Sequence, residues 1–265
     1  MLDFPLFSFC RNFSGENYGQ TLYFQCDSTC IRSEFFFTAS SFAVLKDKSL
    51  IFLHTKELDT LSKFQHKKRQ QTYLLGRYAA KNALSRYDAH ARGLISLASV
   101  WVGSGVFNHP IVFYPGKSNI QITISHCDDR AVALAFPEFF PMGIDIEEIH
   151  QDKTNVIEYQ LTHHEKQLLQ KLDHSCSQTT CVLFWTLKEA LSKALRIGFL
   201  SSLHLYEVDE LQLQEHHWTA TFKNFPQYQG ICFQKQSFIV SLVFPTNSYL
   251  LTEKEENALS TLTIV

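Results

Sequence analysis

Pro137 and Pro141 bracket Glu138-Phe139-Phe140 near the midpoint of a 265-residue chain, and proline opposes helix at its own position and at the residue before it. The chain is expected to fold as two compact parts, residues 1–140 and 141–265, joined by an extended connection over Phe136–Pro141. No low-complexity tract, solenoid-period repeat or long Gly/Ser linker offers another division. Hydrophobic residues make up 45% of the chain, with 23 Phe among them, enough core for one large domain or two small ones.

In the first part Leu50–Leu53 reads as a strand. Lys63–Arg86 reads as a long helix, because Gln71, Leu74, Leu75, Tyr78, Ala79 and Asn82 recur at three- and four-residue steps. Ile120, Ile122 and Ile124 alternate with Gln121, Thr123 and Ser125, the period of a half-buried strand, and Ala131–Phe136 returns as its hairpin partner. In the second part Gly143–Glu147 is a strand and Thr162-x-x-Glu165 a capping box opening a helix to about Leu172. A further helix runs from about Thr179 to Arg196 and stops at Gly198. Tyr206–Val208, Trp218–Phe222, Ile231–Phe233 and Phe238–Phe244 read as strands. Strands and helices in both halves give an α+β class rather than a parallel α/β sheet.

Lys and Arg total 24 against 26 Asp and Glu, a net charge of -2, which argues against a nucleic-acid coat protein. Met1-Leu2-Asp3-Phe4-Pro5 carries no positive leader region, and no apolar run is long enough to cross a bilayer, so a soluble, cytoplasmic protein is expected. Cys10, Cys26, Cys30, Cys127, Cys176, Cys181 and Cys232 are odd in number and scattered, which suits reduced thiols rather than a disulfide framework. Cys26 and Cys30 have no second pair at zinc-ligand spacing.

Two segments carry candidate chemistry. Alternation along Gly143-Ile144-Asp145-Ile146-Glu147 puts Asp145 and Glu147 side by side on one strand face, either as a solvated acidic face or as oxygen ligands for a hard cation such as Mg²⁺. In the helix, Leu183, Phe184, Leu187, Ala190, Leu191, Ala194 and Leu195 form an apolar stripe. Trp185, Lys188, Glu189, Ser192, Lys193 and Arg196 are expected on the other side. That second set is either an ordinary solvent face with a Glu189–Lys193 ion pair, or a third carboxylate flanked by phosphate-binding lysines.

Gly143-Ile144-Asp145-Ile146-Glu147 and Trp185-Thr186-Leu187-Lys188-Glu189-Ala190-Leu191-Ser192-Lys193 together resemble the G-[IV]-D-x-E strand and W-x-x-K-E-[AS]-x-x-K helix of the 4′-phosphopantetheinyl transferases of the Sfp/EntD type. Three further stretches resemble that family in order. Lys67-Lys68-Arg69 with Leu75-Gly76-Arg77-Tyr78-Ala79-Ala80 looks like its arginine-bearing helix, Ile124-Ser125-His126-Cys127 like its Ser-His turn, and Thr162–Glu165 like its S-x-x-E helix start, where capping accounts for Glu165. The likeness spans roughly residues 60–200.

The resemblance implies two similar α+β halves with pseudo-twofold symmetry, each a small, mainly antiparallel sheet packed with helices. It implies holo-[acyl-carrier-protein] synthase activity: transfer of 4′-phosphopantetheine from coenzyme A to a serine of an apo acyl or peptidyl carrier protein, releasing 3′,5′-ADP, in fatty acid, polyketide or nonribosomal peptide biosynthesis. Asp145, Glu147 and Glu189 would ligate Mg²⁺, or Mn²⁺ in its place. Arg69, Arg77, Ser125, His126, Asp145, Lys188 and Lys193 would bind coenzyme A, with Glu189 and Lys193 catalytic. Arg69 and Arg77 lie eight residues apart, about 12 Å along a helix, which suits the 3′-phosphate and the pyrophosphate. Two full halves in one chain point to a monomer. The alternative is a Mg²⁺-dependent hydrolase of coenzyme A or a related nucleotide diphosphate.

One departure stands out. The family often carries a Lys before the Pro that precedes its Ser-His turn, and Gly105-Val106-Phe107-Asn108-His109-Pro110 has none, with neither His109 nor Lys117 assigned in its place. Residues 46–81 nevertheless hold nine Lys and Arg against three acids, so the near-neutral total averages over a basic segment and an acidic remainder.

Overall fold

The computed structural model describes residues 16–91, 96–114, 119–150, 156–172, 177–214, 217–252, 255 and 263–264. The chain divides into two compact units, Met1–Phe140 with Tyr249–Val265, and Pro141–Ser248.

The first unit opens with β1 (Asn17–Cys26) and β2 (Thr29–Thr38), paired antiparallel with Cys26 opposite Thr29. Their two-residue turn puts Asp27 at φ 50°, a left-handed conformation that Asp adopts more readily than most residues. Three short helices follow, α1 (Phe42–Asp47), α2 (Ser49–Phe52) and α3 (Thr55–Ser62), and then the 25-residue α4 (Lys67–Ala91). A ribbon of β3 (Trp101–Ser104) and β4 (Pro110–Phe113) leads to the hairpin β5 (Ile120–Cys127) and β6 (Arg130–Pro137). The sheet runs β1-β2-β6-β5, antiparallel throughout. Leu74, Leu75, Ala79, Ala80, Ala83 and Leu84 of α4 pack on it, and the small Ala131, Ala133 and Ala135 of β6 admit the helix closely. Each buried Leu contributes about 1.5–3 kcal/mol.

The second unit comprises β7 (Gly143–Glu148), α5 (His163–Leu172), α6 (Ser177–Ala194), β8 (Val208–Leu213), β9 (Trp218–Phe222), β10 (Tyr228–Lys235) and β11 (Phe238–Pro245). Its antiparallel sheet has the order β7-β11-β10-β9-β8. Phe184, Leu187, Ala190 and Leu191 of α6 join Val208, Phe222, Ile239 and Val243 of the sheet in one core. The capping box at the head of α5 is closed both ways: Glu165 N–H donates to Thr162 Oγ1 at 3.2 Å, and Thr162 N–H donates to Glu165 Oε2 at 2.8 Å.

The end of the chain returns as β12 (Tyr249–Leu250), antiparallel to β1, and β13 (Thr263–Ile264), parallel to β2. Residues 249–265 therefore group with the first unit and not, as expected from the sequence, with the second. Both units are α+β, each a mainly antiparallel sheet packed with helices. Among the described residues no helix is long and apolar enough to cross a membrane.

Several local expectations change. Leu50–Leu53 is not a strand, because Ser49–Phe52 coil as α2 with Phe52 and Leu53 in the core and Leu50 and Ile51 exposed. A four-residue apolar run has no period of its own, and burial of its second half, Phe52 and Leu53, goes with the helical turn. The long helix starts at Lys67 and continues to Ala91, with α3 ahead of it. Tyr206 closes a single 3-10 turn, Leu203–Tyr206, before β8 begins at Val208. Phe136 and Pro137 finish β6 rather than forming a connection.

Candidate active site

In the first unit, α4 turns Arg69, Tyr73, Gly76 and Arg77 toward a pocket of about 590 Å³. Ile124 and His126 of β5, Lys56 and Thr60 of α3, and Trp101–Ser104 of β3 complete much of its wall. Four of its side chains are basic and none is a carboxylate. Gly76 permits the approach of α4 to β5, since a Cβ there would stand 3.3 Å from Ile124 Cγ2. The Arg69 guanidinium lies over Phe64 at 5.3 Å and that of Arg77 over Tyr73 at 4.7 Å. Such cation–π contacts hold a planar cation without neutralising it.

Beneath Arg77 is Glu57, wholly buried. Its carboxylate lies 3.4 Å from Arg77 Nε and 2.7 Å from Lys81 Nζ, and it accepts from the N–H groups of His54 at 2.9 Å and Val102 at 3.0 Å. Burial lowers the proton affinity of Lys81 against the pull of Glu57.

Of the expected coenzyme A ligands in this unit, Arg69, Arg77 and His126 line one pocket. Ser125 does not, because strand alternation turns it to the opposite face from Ile124 and His126, where it is buried. His109 is not in the wall either, as its ring covers Gly105, and Lys117 lies outside the described residues.

In the second unit, Asp145 on β7 lies opposite Ser241 of β11, and Glu147 opposite Ile239. Helix α6 crosses β7 so closely that a Cβ built on Gly143 would overlap the carbonyl oxygen of Ala190 and stand 2.7 Å from Ala194 N. Thr186 Oγ1 and Ser241 Oγ, 2.6 Å apart and buried, tie the same helix to β11. This contact brings Lys193 Nζ to 2.6 Å from Asp145 Oδ1 and sets Glu189 beside the acids of β7. Burial, reinforced by the charges of Asp145 and Glu147 and opposed by Lys193, pushes the Glu189 carboxyl up to about 7. Burial is the largest cause of that rise and the neighbouring acids add to it, and an oxygen-seeking divalent cation would offset the charge of the three carboxylates. The three carboxylates are not drawn into a closed cage, since no oxygens from all of them lie within 4.8 Å of one another. Such an open arrangement suits Mg²⁺, which takes few protein carboxylates and completes its shell with water and substrate phosphates.

Lys188 is placed differently from the expectation. Only 1% exposed, it points into the core of the unit, where Nζ lies 2.6 Å from Glu165 Oε2, and Ser192 is buried as well. The partly exposed side of α6 thus narrows to Trp185, Glu189 and Lys193, with Arg196 in the turn beyond the helix, and Lys188 supplies no cation to the acid cluster. Glu165 does more than cap, since its Oε1 also accepts from Val208 N–H at 2.9 Å. Burial raises the thiols of Cys181 to about 11 and Cys232 to about 12, so neither is a ready nucleophile.

The pattern reading passed over Lys56, Glu57 and Trp101. The spacing of His54-x-x-Glu57 is that of a capping box, and the helix it opens was legible only to a reading that admits His at the N-cap.

Residues 141–252, the segment that carries β7 and α6, match the 4′-phosphopantetheinyl transferase superfamily. Among solved structures, a holo-(acyl-carrier-protein) synthase from Bacillus anthracis str. Ames in complex with CoA (3′,5′-ADP) is similar at 20% identity and a TM-score of 0.34, covering 44% of this chain and 97% of that one. No curated protein matches the chain.

Proposed function

We propose that this protein transfers the 4′-phosphopantetheine group of coenzyme A to a serine of an apo acyl or peptidyl carrier protein, releasing 3′,5′-ADP. The observation that carries the reading is the meeting of Asp145, Glu147, Glu189 and Lys193 where α6 crosses β7, within the segment that matches the superfamily. The pocket of the first unit supports it independently, with four basic side chains, aromatic walls and room for a nucleotide.

In this reading Arg69, Arg77 and His126 bind the phosphorylated adenosine end of coenzyme A, where the planar arginine fork suits phosphate oxygens. Asp145, Glu147 and Glu189 would hold Mg²⁺, which when bound supplies positive charge to the diphosphate. The carrier serine oxygen forms a bond to the phosphorus bearing pantetheine. The bond from that phosphorus to the bridging oxygen breaks, and its electron pair leaves with 3′,5′-ADP. Glu189 takes the serine proton, directly or through a water, and Lys193 offsets charge on the departing phosphate. Positioning and electrostatics dominate phosphoryl transfer, so these residues account for most of the chemistry asked of the protein.

The test is mass spectrometry of apo carrier proteins after incubation with coenzyme A and Mg²⁺. A phosphopantetheine mass shift, lost on chelation and in Glu189→Gln or Asp145→Asn, is the expected result. Release of 3′,5′-ADP without any carrier would instead identify a hydrolase, and an unimpaired Asp145→Asn/Glu189→Gln double variant would overturn the site.

A further inference from the structure

Lys56 occupies the second position of α3, and its ammonium stands 4.0 Å from the centre of the Trp101 ring on the wall of the first unit's pocket. Trp101 is itself fixed, stacked on Phe113 across the β3–β4 ribbon with centroids 4.0 Å apart and planes within 16°. Lys56 and Phe113 thus both lie against the indole, with the His54 ring stacked more distantly at 6.5 Å. Gly103 makes the stacking on Phe113 possible, because a Cβ there would stand 3.0 Å from both the Trp101 and the Phe113 ring. The ribbon from Trp101 to Pro110 contains no Lys or Arg, so its positive charge is borrowed from α3. Among the described residues no carboxylate lies within ion-pair distance of Lys56, whereas Arg77 is shared with Glu57.

We propose that Lys56 is a phosphate-binding residue of this pocket and Trp101 its positioning residue, the indole holding the ammonium against the ribbon where an adenosine bisphosphate would meet it. The inference rests on the nucleotide reading of the pocket. A flexible lysine confined by an aromatic face loses less freedom on binding than one free in solvent. It also supplies charge on a stretch that has no Lys or Arg of its own.

Calorimetric titration of the full-length protein with 3′,5′-ADP tests it. Lys56→Ala is expected to weaken binding about tenfold at low salt, with the difference shrinking to about threefold or less at 0.5 M NaCl, as screening of one charge contact requires. Lys56→Arg is expected to retain most of the affinity. Trp101→Leu should weaken binding in the parent but add nothing in the Lys56→Ala background, whereas Trp101→Phe keeps a face for the ammonium. A Lys56→Ala loss that is absent or indifferent to salt overturns the assignment of Lys56, and additive losses at Trp101 overturn the positioning role. If the parent protein fails to bind 3′,5′-ADP at all, the nucleotide reading of the pocket falls, and this inference with it.

Discussion

Lys188 Nζ lies 2.6 Å from Glu165 Oε2 in the core of the second unit, so a lysine expected to meet phosphate instead neutralises a buried carboxylate. Removing one partner of such a pair leaves an uncompensated charge in a poorly polarisable interior. Lys188→Ala is therefore expected to lower stability by about 3–5 kcal/mol in urea unfolding. Adding Glu165→Gln should recover part of that loss. A Lys188→Ala protein of parental stability with a raised KM for coenzyme A would return Lys188 to the ligand site.

Glu189 sets a pH dependence. An ordinary glutamate titrates near 4.5, and in the folded, metal-free protein this one is pushed up to about 7. Between those values the unfolded chain has released the proton that the folded chain still binds, so raising the pH favours unfolding across that window and has no further effect above it. Its half-buried setting limits the contribution to about 1–3 kcal/mol. Unfolding of the metal-free protein from pH 4.5 to 8 should show this loss relative to Glu189→Gln, and millimolar Mg²⁺ should diminish it. Parallel profiles for the two proteins would show that Glu189 is not so perturbed.

Arg77 is stacked on Tyr73 and anchored by Glu57, so its guanidinium enters the pocket in one orientation. Arg77→Ala should raise the KM for coenzyme A about 10- to 100-fold, the range for losing one or two charged hydrogen bonds, and leave the KM for the carrier protein nearly unchanged. Arg77→Lys should recover little, because an ammonium lacks the planar fork. Steady-state kinetics varying each substrate separately decides the matter, and an effect confined to the carrier would refute the assignment.

Gly143 stands where α6 touches β7 with no room for a methyl group. Gly143→Ala must push the helix backbone from the strand and is expected to cost about 3 kcal/mol or more, at the upper end for overpacking. The displaced helix should also weaken Mg²⁺ binding, measurable by titration of the folded fraction. Near-parental stability would mean that the helix yields easily here.

What the sequence made legible follows from periodicity. Ile120–Ile124 and Gly143–Glu147 alternate cleanly because one face of each is apolar, and Thr162 and Glu165 announce a helix start through chemistry local to four residues. Lys188 was misplaced because a buried ion pair looks polar in a pattern of apolar and polar residues, and its partner lies 23 positions away. The β1–β2 hairpin escaped notice because its turn, Asp27-Ser28, lacks the glycine that usually marks one. Ser125 and His126 are adjacent in a motif yet face opposite ways on β5, so a motif names both while geometry delivers one. Lys56 meets Trp101 only through tertiary packing, which no local pattern encodes.

Glu57 joins three elements of the first unit, capping α3, accepting from β3 and drawing Arg77 and Lys81 of α4 together. One anion thus serves as the internal counterion of the basic pocket, and it does so whether or not a ligand is present. The arginine is oriented when the chain folds, so little ordering remains for the moment of encounter, and release of a spent nucleotide leaves the walls standing for the next one.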